Sequence, residues 1–355
     1  MVSALALVVV LSKGETAIRL TRGMNLIDDS LRILATETEL CVPLVRPPDG
    51  YESERLSLVL GSSRIERRDF SERQPAQRTL AEVLESQLPS YLLERIPRSL
   101  DIVGHVAIVE LPSELAPFEE AVGKAILETS PKIRTVMAKA GAHSRDYRVR
   151  ELRLIAGEDA PITRHREHGC TFELDVRSVF FNPRLSHERL RVASQVQSGE
   201  TVVDMFAGVG PYSILGAKMQ PSSRIYAIDV NPSAFRFLVS NVLTNKVVKN
   251  VTPIMGDVRD VIRSKLLGKA DRVIMNLPGS AFDFVSEACS SLAEKRGIIH
   301  FYSFESDERP TEKASERLRE CVERTGRRVR SILATRVVKT VAPYRLQVAV
   351  DALLV

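Results

Sequence analysis

From residue 199 onward the sequence alternates short apolar runs with longer helical ones, and this alternation constrains the fold more than any other feature of the chain. The apolar runs at 201–205, 224–229, 251–255, 271–275 and 296–301 have the length of strands. Strand–helix units in series build a parallel sheet with helices on both faces. The texture then changes. Residues 311–325 read as a helix stopped by Gly326, and strand-like runs follow at 329–338 and 345–354, split by Ala342-Pro343. The expected fold class is α/β, a Rossmann-like doubly wound sheet closed by an antiparallel C-terminal hairpin.

The first strand of this region runs into the loop Asp204-Met205-Phe206-Ala207-Gly208-Val209-Gly210. Glycine allows a tight turn and lets a ligand approach the backbone. A nicotinamide dinucleotide site needs G-x-G-x-x-G. Here only Gly208-x-Gly210 is present, and the next candidate position holds Ser213. Asp204, at the strand end, would repel a pyrophosphate. It suits a cofactor bearing a cationic amino-acid group, as S-adenosylmethionine does. The second strand ends at Asp229, whose carboxylate can accept hydrogen bonds from two ribose hydroxyls. The third ends at Gly256-Asp257, placed to reach an adenine edge, and the fourth at Met275-Asn276-Leu277-Pro278-Gly279. The expected cofactor residues are therefore Asp204, Phe206, Gly208, Gly210, Asp229, Asp257 and Asn276. Any one of the polar residues could simply cap the following helix. Four in register at the carboxyl ends of one sheet point instead to a ligand.

Ahead of this region, residues 1–60 read as a small α/β domain, with strands at 5–11 and 39–45 and a short helix at 25–33. Pro47-Pro48-Asp49-Gly50 breaks the pattern, and Gly61-Ser62-Ser63 with the charged run 64–73 reads as linker. Helices are expected at 79–88, 90–93, 114–129 and 186–196, and strands at 102–111, 134–139, 150–155 and 170–176. These define an α+β middle domain over 75–183, leaving 184–355 as the catalytic domain. The apolar start lacks a basic leader and meets Lys13 and Glu15 at once, so it reads as a strand and not a signal peptide, and no segment has membrane length. Cys41, Cys170, Cys289 and Cys321 form no CxxC pair, which argues against a zinc site or disulfide framework and fits a reducing, cytoplasmic compartment. No metal is expected. The net charge of +5 leans mildly towards an acidic partner such as nucleic acid.

Several segments resemble the archaeal and eukaryotic type of tRNA (guanine-37-N1)-methyltransferase. They are Tyr147-Arg148-Val149-Arg150-Glu151, Ala156-Gly157-Glu158, His168-Gly169-Cys170, Asp175, Phe181-Asn182-Pro183-Arg184-Leu185-Ser186-His187-Glu188-Arg189, the glycine loop and Asn276-Leu277-Pro278. The resemblance covers roughly residues 100–355 and extends more weakly into the first 45. It implies a class I methyltransferase fold, S-adenosylmethionine as methyl donor, and guanine 37 of tRNA as acceptor, in a monomeric enzyme. It assigns Glu188 as general base, Arg148 as the partner of guanine O6, and Asn276 and Pro278 as holders of the target base. It also implies that the N-terminal domain contacts the outer corner of tRNA.

N1 of neutral guanine holds its proton tightly, so a base within hydrogen-bond reach and a cation at O6 are what the chemistry needs. By itself Glu188, in the first turn of a helix opened by Ser186, also reads as a carboxylate complementing the helix dipole. Leu277 and Gly279 stand where an exocyclic-amine methyltransferase carries an Asn-Pro-Pro-Tyr-type motif, which disfavours an amine acceptor. Relatives often carry Tyr at Phe180, so a hydroxyl contact is lost there while stacking is kept. Arginines 145, 148, 150, 153, 164, 166, 327, 328, 330, 336 and 345, with Lys339, are candidates for phosphate contact, about half of them merely solvated. The alternative within the superfamily is a wyosine-pathway enzyme, transferring an aminocarboxypropyl group or methylating a tricyclic guanine precursor. From other classes, a non-catalytic RNA-binding module would have lost the glycine loop or the catalytic pair, and a nicotinamide oxidoreductase lacks its third glycine.

Overall fold

The computed structural model describes residues 1–73, 78–97, 99–143, 149–306, 308–342 and 344–355. The chain divides into two compact units, Met1–Thr79 and Leu80–Val355.

In the first unit, β1 (Val2–Val10), β3 (Glu39–Leu44), the short β2 (Leu34–Ala35) and β4 (Ser63–Phe70) form an antiparallel sheet in the order β2-β3-β1-β4. From Ala4 to Val9 strand β1 is apolar because both its faces are covered. Leu7 and Val9 pack with Ala17, Leu56 and Leu60 of helices α1 (Gly14–Gly23) and α2 (Gly50–Leu60), while Ala6 and Val8 pack with Leu31 and Phe70.

Three expectations fail here. The helix expected at 25–33 lies earlier, at Gly14–Gly23, because Asn25 takes a left-handed φ of 52° and ends it. The break at 47–50 opens α2, with Asp49 and Glu52 forming a reciprocal capping box, a signal present in the sequence. The linker expected at 61–73 is largely β4. Its charges are those of an edge strand, with Arg64 paired to Glu39 and Arg68 to Glu66, and Phe70 supplies the apolar anchor. The N-terminal unit thus extends past residue 60, because β4 completes its sheet.

The second unit begins with α3 (Leu80–Leu84) and α4 (Ser90–Leu93). A four-stranded sheet follows, in the order β5 (Asp101–Val103), β6 (Val106–Val109), β7 (Thr135–His143), β8 (Arg150–Gly157), backed by α5 (Glu119–Thr129). The single strand expected at 102–111 is a hairpin. Gly104 turns the chain at φ 57°, and a Cβ there would lie 2.2 Å from Thr163 Oγ1. The helix expected at 114–129 opens as a 3₁₀ segment, Ser113–Phe118, because Pro117 cannot continue an α-helical ladder.

Strands β9 (Ile162–Glu167) and β10 (Cys170–Asp175) form a hairpin. Its Cys170, Phe172 and Leu174 join the core beneath the large sheet, and Asn241 and Asn245 hold its backbone at Glu173 and Thr171. Residues 170–183 therefore pack with the catalytic core, and the division expected at 183/184 does not follow the packing.

From α6 (Ser186–Ala193) the expected alternation appears: β11 (Thr201–Asp204), α7 (Pro211–Met219), β12 (Arg224–Asp229), α8 (Pro232–Thr244), β13 (Val251–Met255), α9 (Val258–Val261), β14 (Arg272–Met275), α10 (Val285–Ser291), β15 (Gly297–Glu305), α11 (Pro310–Glu323), β16 (Val329–Ala342) and β17 (Arg345–Leu354). Among the described residues these strands make a seven-stranded sheet ordered β13-β12-β11-β14-β15-β17-β16. β11 to β15 are parallel, and β17 runs antiparallel to both β15 and β16. Strand order reverses at β11 and β14, which opens a crevice at their carboxyl ends. No helix among the described residues is long and apolar enough to cross a membrane.

Candidate active site

The carboxyl ends of β11, β12, β13 and β14 carry Asp204, Asp229, Asp257 and Asn276, as expected. Asp204 is completely buried. Its Oδ2 accepts the Ser213 hydroxyl at 2.7 Å, and among the described residues its Oδ1 has no hydrogen-bond partner. Burial pushes its carboxyl up to about 7, and the nearby Asp229 adds to the effect. The Asp229 carboxyl is also raised, by burial, although it accepts the Gly208 amide at 2.7 Å and the Asn231 amide at 2.8 Å. Two acids and an orphaned buried oxygen at one loop are what a cationic ligand would relieve. The donor set fits the amino-acid end and ribose of S-adenosylmethionine.

The loop's glycines are required by conformation. Gly208 and Gly210 have φ of 55° and 92°, and a Cβ on Gly210 would sit 2.5 Å from Leu238. Phe206 packs edge-on against Phe284 at 5.1 Å, and Arg259 stacks over Phe284 at 4.2 Å. Asp257 caps α9 through the Arg259 amide and is partly exposed. Asn276 accepts a long contact of 3.5 Å from Gln347, and the Pro278 carbonyl accepts the Phe304 amide at 3.2 Å, so the Asn-Leu-Pro turn is tied to the end of β15.

Glu188 is 3% exposed and does not cap its helix. Its side chain turns inward. Oε1 accepts the Tyr302 hydroxyl at 2.7 Å and an Arg191 guanidinium N–H at 2.8 Å, and Arg191 Nε bonds Oε2 at 3.0 Å. Arg336 of β16 lies 3.5 Å from Oε2. Arg191 also grips Asp351, which accepts the His300 Nδ1–H at 2.7 Å, and His300 Nε2 accepts from Arg272. Burial holds His300 below the ordinary histidine value, consistent with a neutral ring in this role. Despite its own burial, Asp351 is held well below the usual carboxylate range by His300 and Arg191. Sequence reasoning missed Arg191, Tyr302, Arg336 and Asp351 as neighbours of Glu188. Arg191, three residues on in the same helix, was open to an i,i+3 pairing argument, whereas no local pattern announces the others, in contacts that span up to 160 residues.

On the other side of α6, the buried Arg189 binds Glu167 and the Asn182 carbonyl and stacks on Phe181 at 4.5 Å. The segment 180–184 is thereby fixed along a cavity of about 320 Å³, which is also lined by Asp101, Lys139, Leu152 and Lys339. Arg184 is fixed there by Asp101 at 2.6 Å, and Phe180 is exposed on its wall. Arg148, expected at guanine O6, and Arg145 lie outside the described residues. Of the other arginines, Arg153 pairs with Glu119, Arg164 with Glu173, and Arg327 with the carbonyls of 292 and 293, so the last holds the fold together.

This arrangement has known counterparts. Residues 163–330 match the TRM5/TYW2 methyltransferase domain, and residues 80–160 match the TYW2 N-terminal domain. The tRNA (guanine(37)-N(1))-methyltransferase Trm5b of Pyrococcus abyssi is 38% identical over 347 residues, 98% of each chain. The chain belongs to the TRM5 family of tRNA (guanine-37-N1)-methyltransferases. The crystal structure of that P. abyssi Trm5b superposes with a TM-score of 0.73 at 36% identity, covering 99% of both chains. The structure of aTrm5 in complex with tRNALeu follows with a TM-score of 0.72 at 29% identity, covering 98% of this chain and 99% of that one. M. jannaschii TYW2 in complex with AdoMet has a TM-score of 0.56 at 29% identity, covering 72% of this chain and 99% of that one. These likenesses agree with the expected family and fold class.

Proposed function

We propose that this TRM5-family protein methylates N1 of guanine 37 in tRNA, using S-adenosylmethionine, with Glu188 as the general base. One observation carries the assignment of the base: Glu188 is a buried carboxylate turned away from its own helix end and held between a guanidinium and a hydroxyl. When bound, S-adenosylmethionine supplies an electrophilic methyl group whose bonding pair stays with sulfur. Asp204, Phe206, Gly208, Gly210, Asp229 and Asp257 hold it, with Asn276 at the boundary between cofactor and target base. Asn276 and Pro278, on a turn tied to β15, position the guanine. Glu188 takes the N1 proton, which leaves the N–H electron pair on N1 to bond the methyl carbon. Arg148, by the family likeness, meets the charge that develops at O6.

Labelled S-adenosylmethionine and transcripts differing only at position 37 test the substrate. Label is expected in 1-methylguanosine from the guanine transcript, and at least about a hundredfold less from the adenine transcript. Equal labelling of both would sink the assignment. The presence of Glu188 and of Asn276-Leu277-Pro278, since aminocarboxypropyl transfer needs no base at guanine N1, and the 38% identity to a guanine-N1 relative favour this reading over that transfer.

The N-terminal unit has its own sheet and cores. It is assigned here to the outer corner of the tRNA, while the middle segment joins it to the catalytic domain. Removing residues 1–79 is then expected to weaken binding of full-length tRNA about tenfold or more, with little change for an anticodon stem-loop. Equal losses on the two substrates would refute that assignment.

A further inference from the structure

Two hydrogen-bond chains meet at neighbouring residues of α7. Ser213 donates to Asp204 at 2.7 Å. Tyr212, the residue before it, donates to the Tyr302 hydroxyl at 3.4 Å, and Tyr302 donates to Glu188 Oε1 at 2.7 Å. Tyr302 is completely buried and Tyr212 nearly so. Burial and the adjacent Glu188 hold the Tyr302 hydroxyl far above the ordinary tyrosine value, so it remains a donor throughout the working pH range. The other charges facing Glu188 come from several elements. Arg191 lies on its own helix, Arg336 on β16, and Asp351 on β17 reaches it through Arg191. Arg191 is shared between Glu188 and Asp351 of β17. Among the described residues, Tyr302 supplies the neutral hydroxyl bonded to Glu188, on Oε1, which it shares with Arg191.

We propose that Tyr302, set by Tyr212, is a positioning residue for the general base, fixing the Glu188 carboxylate for the incoming guanine. The proposal rests on Glu188 being that base. A hydrogen bond donated to a carboxylate favours its charged form, so removing the donor makes protonation easier.

The test is single-turnover methyl transfer to guanine-37 tRNA by Tyr302→Phe, Tyr212→Phe and Glu188→Gln between pH 5.5 and 9. For Tyr302→Phe, the acid limb of the rate profile is expected to move up by about one pH unit. Its rate at neutral pH is expected to fall about tenfold, with tRNA and S-adenosylmethionine affinities kept. Tyr212→Phe is expected to move the limb the same way by less. An acid limb that stays at the wild-type pH in Tyr302→Phe overturns the proposal even if the rate is lower, because lost packing slows a reaction without moving its titration. Should Tyr302→Phe fail to fold, an unmoved limb in Tyr212→Phe overturns it equally. A wild-type rate in Glu188→Gln is a different failure, that of the base assignment itself.

Discussion

Glu188→Gln is expected to slow single-turnover methyl transfer by about 10²–10⁴-fold at every pH tested, the range that a positioned general base contributes. Glutamine keeps the size of the side chain and can still accept from Tyr302 and Arg191, but it cannot take the N1 proton. The substitution also removes a negative charge from between Arg191 and Arg336, and breaking a buried pair costs stability. Melting temperature and S-adenosylmethionine affinity therefore have to be measured alongside the rate. A folded variant that binds cofactor and tRNA and has lost the rate identifies the base. A rate within about threefold of wild type, with an unchanged pH profile, would instead make Glu188 a structural ion-pair partner.

Asp204→Asn is expected to stabilise the protein without cofactor while weakening its hold on S-adenosylmethionine. The Asp204 carboxyl is raised from 3.8 to about 7, chiefly by burial. An acid raised in this way is ionised in the unfolded chain above pH 4 but resists ionisation in the folded one. It therefore withdraws stability progressively as the pH rises from about 4 to about 7, and the deficit is constant above that. Asparagine does not ionise, so the variant is expected to gain on the order of 2–4 kcal/mol over wild type at pH 8 and almost nothing at pH 4. Thermal melts without cofactor at the two pH values check this, and equal differences at both would show that Asp204 carries no such burden. The same substitution removes the anion that a cationic amino-acid group would meet, so calorimetric titration is expected to show at least about a tenfold loss of affinity. A gain in stability coupled to a loss of binding is typical of a residue kept for its ligand.

Much of the catalytic half was legible because its rules are local. The strands expected from 201 to 301 lie where the apolar runs placed them, and Asp204, Asp229, Asp257 and Asn276 share one rim because strand ends in a parallel sheet share one rim. The individual residues divide. Asp257 does cap its helix, as its local context allows, whereas Asp204 and Glu188 do not behave as caps. The N-terminal half was less legible. The charged run 64–73 reads as linker until β1 offers it a pairing edge, and 102–111 reads as one strand until Gly104 turns it against Thr163. In both cases a partner distant in sequence overrides the local pattern.

The chain's own order of residues determined the sheet, the glycine loop and the acids at the strand ends, because strand and turn preferences act over a few residues. Apart from Arg191, one turn along the same helix, the surroundings of Glu188 were decided only by the tertiary structure. Tyr302 and Asp351 stand 114 and more than 150 residues from α6, and they reach it because the antiparallel return of β17 beside β15 sets both strands against that helix. A carboxylate in the first turn of a helix is a cap in water. The same carboxylate, dehydrated between Arg191 and Tyr302, becomes a group with chemistry to do, and dehydration is a property of the packed core that no short stretch of sequence contains.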